Sequence, residues 1–360
     1  MTGRENILTA LRRQKPERIP FGLDFCRSQL EEFKKRTGAT DFMEYFDMDF
    51  RYVDLAPSKH PVDYSRYYPN KPDDVYVNEW GVGQKPGSVA HFFKMIHPMA
   101  DFTTPQEVWD FPVPDIEADY RYEHLPGAVK KIQDAGYAVV YFAVQLFEPA
   151  WYWRGMDNFL ADMIADEEMT EALMEKMTAL METLCRKVAE AGVDIIVYGD
   201  DVGTQRGLMM QMEHWRKWVK PYTKRVIDAA KKAKPDILAY YHSDGAIQET
   251  IPELIEIGVD ILNPVQPECM DPAEIKKLYG DKLAFWGTIG TQTTMPFGTP
   301  EDVRDAVIKN IETVGYDGGL VIAPTHILEP EVPWENIMAF VDTVKNYKEQ
   351  SNSRCFRADG

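Results

Sequence analysis

Eight short apolar runs, separated by amphipathic helical sequence, constrain this chain more than any other feature. They are Ile19–Phe25, Asp49–Ala56, Tyr137–Gln145, Asp194–Asp200, Ile237–Asp244, Asp260–Val265, Leu283–Ile289 and Leu320–Pro324. Their Val, Ile, Tyr and Phe content predicts strands. From the third onward most are near-continuously apolar, as strands buried on both faces of a parallel sheet are. Between runs, Met156–Ala191, Trp215–Ala233 and Pro300–Val314 predict amphipathic helices, the last opening on proline. Eight alternations predict an α/β fold of the (β/α)8 TIM-barrel class rather than an open doubly wound sheet. No GxGxxG follows the first run, which removes the main sign of a dinucleotide-binding sheet.

Residues 57–130 interrupt the rhythm between the second and third runs. Within them Asp74–Trp80, the turn GVGQKPG and Ser88–His97 predict a β-hairpin. An insertion of this length near a barrel mouth acts as a lid or partner surface, or as a stabilising decoration. The expected organisation is one barrel domain over residues 1–348, with a disordered tail at 349–360.

Net charge is −18, from 40 basic and 58 acidic side chains, which argues against nucleic acid and anionic membranes as partners. The four cysteines are far apart with no CxxC pair, a usage that suits a reducing compartment and neither a disulfide framework nor a structural zinc cluster. No apolar run approaches the roughly 20 residues of a membrane span, and the N-terminal stretch has no apolar signal core. A cytoplasmic location is expected.

Catalytic groups of such barrels come from the C-terminal ends of the strands. The polar residues there are Asp24 and Arg27 at the first run, Asp200 and Asp201 at the fourth, and His242 and Asp244 at the fifth. Asn263 and Gln266 follow at the sixth, Thr291 and Gln292 at the seventh, His326 and Glu329 at the eighth. The i, i+2 spacing of His242 and Asp244 puts both on one face of a strand. With His326 they match a two-His, one-carboxylate metal site with open positions. A His–Asp general-base pair and hydrogen-bonded structural residues are the other readings. Asp200 and Asp201 either orient a substrate or cap a helix. Trp151, Tyr152 and Trp153 either floor a planar pocket or pack against the insertion. The methionines over 169–181 fit core filling.

The segments GDDVGTQRGLMM, YYHSDGAIQETIPELIEIGVDILNPVQ, LAFWGTIGTQ, PFGTPEDVR and GGLVIAPTHILEPEVPWENI, with NILTALRRQKPERIPF near the start, occur in an order that resembles the uroporphyrinogen decarboxylase superfamily. The resemblance covers nearly the whole chain. Its decarboxylase branch carries an Arg-rich segment resembling RQAGRY after the first strand, which binds substrate carboxylates. Here FGLDFCRSQLEEF stands there with Arg27 alone, which argues against a tetrapyrrole polycarboxylate.

A second branch comprises corrinoid-dependent methyltransferases similar to methylcobalamin:coenzyme M methyltransferase and to the methyltransferase components of O-demethylases. Their zinc ligands come from an HxC motif after the fifth strand and a Cys after the eighth. His242 matches the His, Asp244 replaces the first Cys, and His326 stands at or beside the second. This harder donor set suits zinc or another divalent metal that polarises an oxygen. The resemblance thus implies methyl transfer between an O-methylated, methoxyaromatic-type small molecule and a corrinoid protein. Asp200, His242, Asp244 and His326 would be catalytic, with the metal on the last three. Asp24, Arg27, Asn263, Gln266 and Gln292 would bind substrate, and the insertion and rim would receive the corrinoid protein. The alternatives are a decarboxylase acting on a carboxylated substrate and a non-catalytic tetrapyrrole- or corrinoid-binding protein.

Overall fold

The structure, a computed structural model, describes residues 1–87 and 93–347. The expected disordered tail and the start of the Ser88–His97 segment lie outside the described residues. The second to eighth runs are strands: Phe50–Val53, Ala138–Val144, Ile195–Gly199, Leu238–His242, Ile261–Asn263, Ala284–Trp286 and Leu320–Val321. Each lies inside its expected range. The chain divides into two compact units, one of Met1–Arg51, Ala135–Ala138 and Asp260–Gly360, the other of Tyr52–Asp134 and Val139–Val259.

In the first unit Ile261–Asn263, Ala284–Trp286 and Leu320–Val321 pair in parallel, with Ile261 opposite Ala284 and Phe285 opposite Leu320. The first run differs from expectation. Instead of a strand over Ile19–Phe25 it makes two isolated parallel bridges, Phe21 to Ile322 and Phe25 to Leu328. Pro20 has no N–H to give a ladder, and Gly22 has no side chain to pack. The pairing survives through Gly22 N–H to Ile322 O and Ile322 N–H to Pro20 O, both 3.0 Å. First run beside last run is the pairing that closure of a barrel requires. The helix Pro300–Thr313 starts where proline predicted, with Thr299 and Asp302 forming a capping box.

In the second unit Ile195–Gly199 is central, paired in parallel with Ala138–Val144 and Leu238–His242, and buried at every position. Two helices expected as continuous are each divided. Met156–Ala165 and Glu167–Glu190 separate at Asp166, whose side chain accepts the Met169 N–H at 3.1 Å. Met212–Trp218 and Lys220–Ala233 separate at Val219, followed by Pro221 in the first turn of the second helix. Met169, Met174, Met177 and Met181 are buried along Glu167–Glu190, as core filling requires. The insertion holds a three-stranded antiparallel sheet, Tyr76–Val77, Gly83–Pro86 and Phe93–Ile96, rather than a hairpin. The segment read as a turn supplies the middle strand. Among the described residues no helix is long and apolar enough to cross a membrane.

Candidate metal centre

His242 ends the strand Leu238–His242 and lies opposite Gly199 in register. The Asp200 N–H continues this ladder to His242 O at 3.0 Å. A Cβ on Gly199 would lie 3.8 Å from both Gln145 Cγ and the His242 ring, so these two side chains flank one point at the strand end. Asp244, two residues beyond His242, turns to the same side as the alternation predicted. Its N–H donates to Asp201 Oδ1 at 2.7 Å, and Asp201 Oδ1 lies 3.6 Å from His242 Nε2. One ligand atom each from Asp201, His242 and Asp244 lies within 4.8 Å of the others.

Glycine packing holds the two loops together. A Cβ on Gly203 would meet Asp244 O at 2.5 Å, and one on Gly245, at φ +87°, would meet Thr204 O at 2.6 Å. Only backbones without side chains approach this closely. The Ala246 N–H donates to Thr204 O at 2.8 Å across the same contact.

The adjacent aspartates part company. Consecutive residues of extended chain point in opposite directions, and Asp200 points away from His242. Its carboxylate accepts the Leu146 N–H at 3.0 Å and the Glu148 N–H at 2.9 Å, which caps the helix Phe147–Arg154. Burial and the Glu148 charge push the Asp200 carboxyl above the usual range, against the pull of the backbone amides. Asp200 thus holds the start of the helix that carries Glu148, its expected catalytic part remaining with the proposal, and Asp201 lies against His242.

Glu148 is the group that sequence reasoning missed. It is buried, and accepts from Gln145 Nε2 at 2.6 Å and the Tyr152 hydroxyl at 2.8 Å. Burial raises its carboxyl above the ordinary range, with the Asp201 charge adding to the rise. Gln145 and Glu148 follow the third strand as closely as other candidates follow theirs, and that strand end is the one local signal for them.

The donor set fits a divalent cation. Two carboxylates carry the opposing charge, and the imidazole offers a nitrogen donor. At bond lengths of about 2.1 Å, neighbouring tetrahedral ligands sit about 3.4 Å apart. The 3.6 Å between His242 and Asp201 is already near that spacing.

The other expected residues lie in the first unit. His326 is exposed in the bend after Leu320–Val321. Asn263 is buried at its strand end and donates to Trp286 O at 2.5 Å; Gln266 is buried, and Gln292 is exposed with its N–H on Glu268 Oε1 at 3.2 Å. Asp24 is exposed between the two bridges, and Arg27 opens a helix with its guanidinium 3.6 Å from Glu31. Trp153 packs against the insertion: its indole N–H donates to Trp80 O at 2.8 Å, with ring centroids 6.3 Å apart.

The sequence profile of the uroporphyrinogen decarboxylase (URO-D) family matches residues 92–347. The chain belongs to the uroporphyrinogen decarboxylase family. A uroporphyrinogen decarboxylase from Geobacter sp. (strain M21) is 27% identical over 269 residues, 72% of this chain and 73% of that protein. The methylcobamide:CoM methyltransferase MtaA of Methanosarcina barkeri is 25% identical over 191 residues, 53% of this chain and 52% of that protein. The chain spans about half the length of most of the curated relatives it matches. A solved methyltransferase from Methanosarcina mazei superposes with a TM-score of 0.68 at 15% identity, covering 97% of this chain and 99% of that one. At that identity the likeness shows the fold, and the expected α/β TIM-barrel class stands. Members of this family and its structural neighbours thus include both decarboxylases and methyltransferases.

Proposed function

We propose that this chain is a methyltransferase that moves a methyl group between an O-methylated small molecule and the cobalt of a corrinoid protein. The observation that carries this reading is the cluster of Asp201, His242 and Asp244, a hard donor set where the related methyltransferases are implied to use thiolates. A divalent metal such as zinc, held there, supplies Lewis acidity to the ether oxygen. The methyl carbon leaves that oxygen with neither of the C–O bonding electrons. The electron pair for the new bond would come from the partner's reduced corrinoid, and the C–O pair would leave on the alkoxide or phenolate. Asp201, aligned by the Asp244 N–H, and His242 would hold the ligand geometry, with the buried Glu148 carboxyl beside Asp201. Gln145 and Tyr152 orient Glu148. The resemblance adds His326 as a further ligand, and the substrate-binding roles of Asp24, Arg27, Asn263, Gln266 and Gln292 belong to the same proposal.

Decarboxylation of a polycarboxylate is the rival, and it needs cationic clamps. The candidates are Arg27, Arg51, Arg154 and Arg206, and two of them are committed elsewhere. Arg51 donates to Met48 O and Phe50 O, both at 2.7 Å, and stacks on Tyr137. Arg154 is buried, with Asp162 at 2.7 Å and three backbone carbonyls as partners. The acidic cluster itself repels carboxylates.

The test is to incubate metal-loaded protein with reduced corrinoid protein and a panel of methoxyaromatic and aliphatic methyl ethers, following the cobalamin spectrum. Methylated corrinoid is expected, lost on chelation and in His242→Ala. His326→Ala is expected to lose metal as His242→Ala does. No methylation across the panel would sink the reading.

A further inference from the structure

A cavity of about 250 Å³ lies within the second unit, beside the cluster. Its apolar walls include Trp80 from the insertion, Trp153, and Met177 and Met181 from the helix Glu167–Glu190. Its polar lining comes from Asn78, Gln145 and Tyr152. Among the described residues no charged side chain lines it.

Size and chemistry narrow the occupant. An apolar cavity of about 150 Å³ accepts benzene, so this one accommodates a benzene ring with one or two small substituents. Indole faces and thioethers favour an aromatic guest. A quaternary ammonium would also be drawn to aromatic walls, but without a lining carboxylate the cavity suits a neutral molecule. Position supplies the link to chemistry. Gln145 and Tyr152 line the cavity and donate to Glu148 at 2.6 and 2.8 Å. Gln145 and His242 flank the same point above Gly199. The polar edge of the cavity therefore adjoins the candidate metal ligands.

We propose that this cavity is the aryl subsite for the methyl donor, taking the ring of a single-ring aryl methyl ether with its oxygen at the Gln145–Tyr152 edge. The inference rests on the methyltransferase reading and narrows its substrate class.

Isothermal titration of the intact protein, with and without zinc, tests it using 1,2-dimethoxybenzene, its saturated ring analogue and tetramethylammonium. Saturable binding of the aryl ether is expected, at least about tenfold tighter than the saturated analogue. Met181→Phe fills the cavity and is expected to weaken aryl binding by about tenfold or more. Trp80→Ala, at a half-buried position of the insertion, is expected to weaken it as well, and carries the test if Met181→Phe does not fold. Aryl affinity unchanged in the folded variants overturns the subsite. So does equal or tighter binding of the saturated analogue or of tetramethylammonium. Binding needs no corrinoid, so aryl binding without methyl transfer counts against the methyltransferase reading alone. Methyl transfer from aliphatic ethers without aryl binding counts against the subsite alone.

Discussion

Asp201 places a carboxylate oxygen 3.6 Å from His242 Nε2, whereas Asp200 turns its oxygens to the amides of Leu146 and Glu148. The two should therefore fail differently. Asp201→Ala and Asp244→Ala are expected to weaken divalent-metal binding by at least about tenfold to a hundredfold. Asp200→Asn should retain the metal while losing roughly 1–3 kcal/mol of stability, because its amide nitrogen meets backbone N–H donors. Equilibrium dialysis with elemental analysis, alongside urea unfolding, separates the two; metal loss in Asp200→Asn equal to that in Asp201→Ala would contradict the assignment. Glu148 yields a pH prediction. Its folded pKa is raised by burial and by Asp201. Between the unfolded and folded values the folded chain keeps a proton that the unfolded chain releases, so stability falls as pH rises through that window. Glu148→Gln removes this loss. The metal-free variant should gain stability over the parent as pH rises from about 4.5 toward neutrality, the two converging in acid. Parallel slopes in unfolding curves across pH would refute it. The HxD spacing of His242 and Asp244 was legible because alternation along a strand is local. Glu148 was not, because burial of a carboxylate beside Asp201 is set by residues far apart in sequence.

Strands are the best-read elements of this chain, and their ends the worst. Ile195–Gly199 lies in a run apolar at almost every position, and no other element could bury it so completely. Leu320–Val321 is only two residues long, and pairing continues beyond it as isolated bridges at Ile322 and Pro324 before the bend at Thr325 and His326. The first run shows how one proline reduces a legible strand to bridges. The helix breaks at Asp166 and Val219 sat inside continuous amphipathic patterns, which register periodicity more strongly than caps. Loop contacts between elements were invisible, and one of them is testable. Gly245→Ala puts a side chain at φ +87° and 2.6 Å from Thr204 O. It is expected to cost at least about 2 kcal/mol, and to weaken metal binding by displacing Asp244 from Asp201. A variant with unchanged melting temperature and unchanged metal affinity would show that the loops do not depend on this contact.

At the scale of the whole chain, family membership leaves two chemistries, and they make opposite demands on charge. The molecule carries −18 overall, and Asp201 and Asp244 meet at one strand-end cluster. Arg51 and Arg154 are held by backbone carbonyls, so neither can be turned to a substrate without leaving buried acceptors unmet. A polycarboxylated tetrapyrrole would have to enter against this field, with Arg27 exposed and already 3.6 Å from Glu31. A neutral ether meets no such barrier, and a bound divalent cation offsets the acidic charge as it engages the oxygen. Uroporphyrinogen offered to the metal-loaded protein should therefore give no coproporphyrinogen, and raising ionic strength to screen the repulsion should not produce any, because screening supplies no clamp. Methyl transfer from an aryl ether should proceed under the same conditions and stop when the metal is removed. Carbon dioxide release from uroporphyrinogen that persists in His242→Ala would reverse the choice and leave the cluster without a catalytic part.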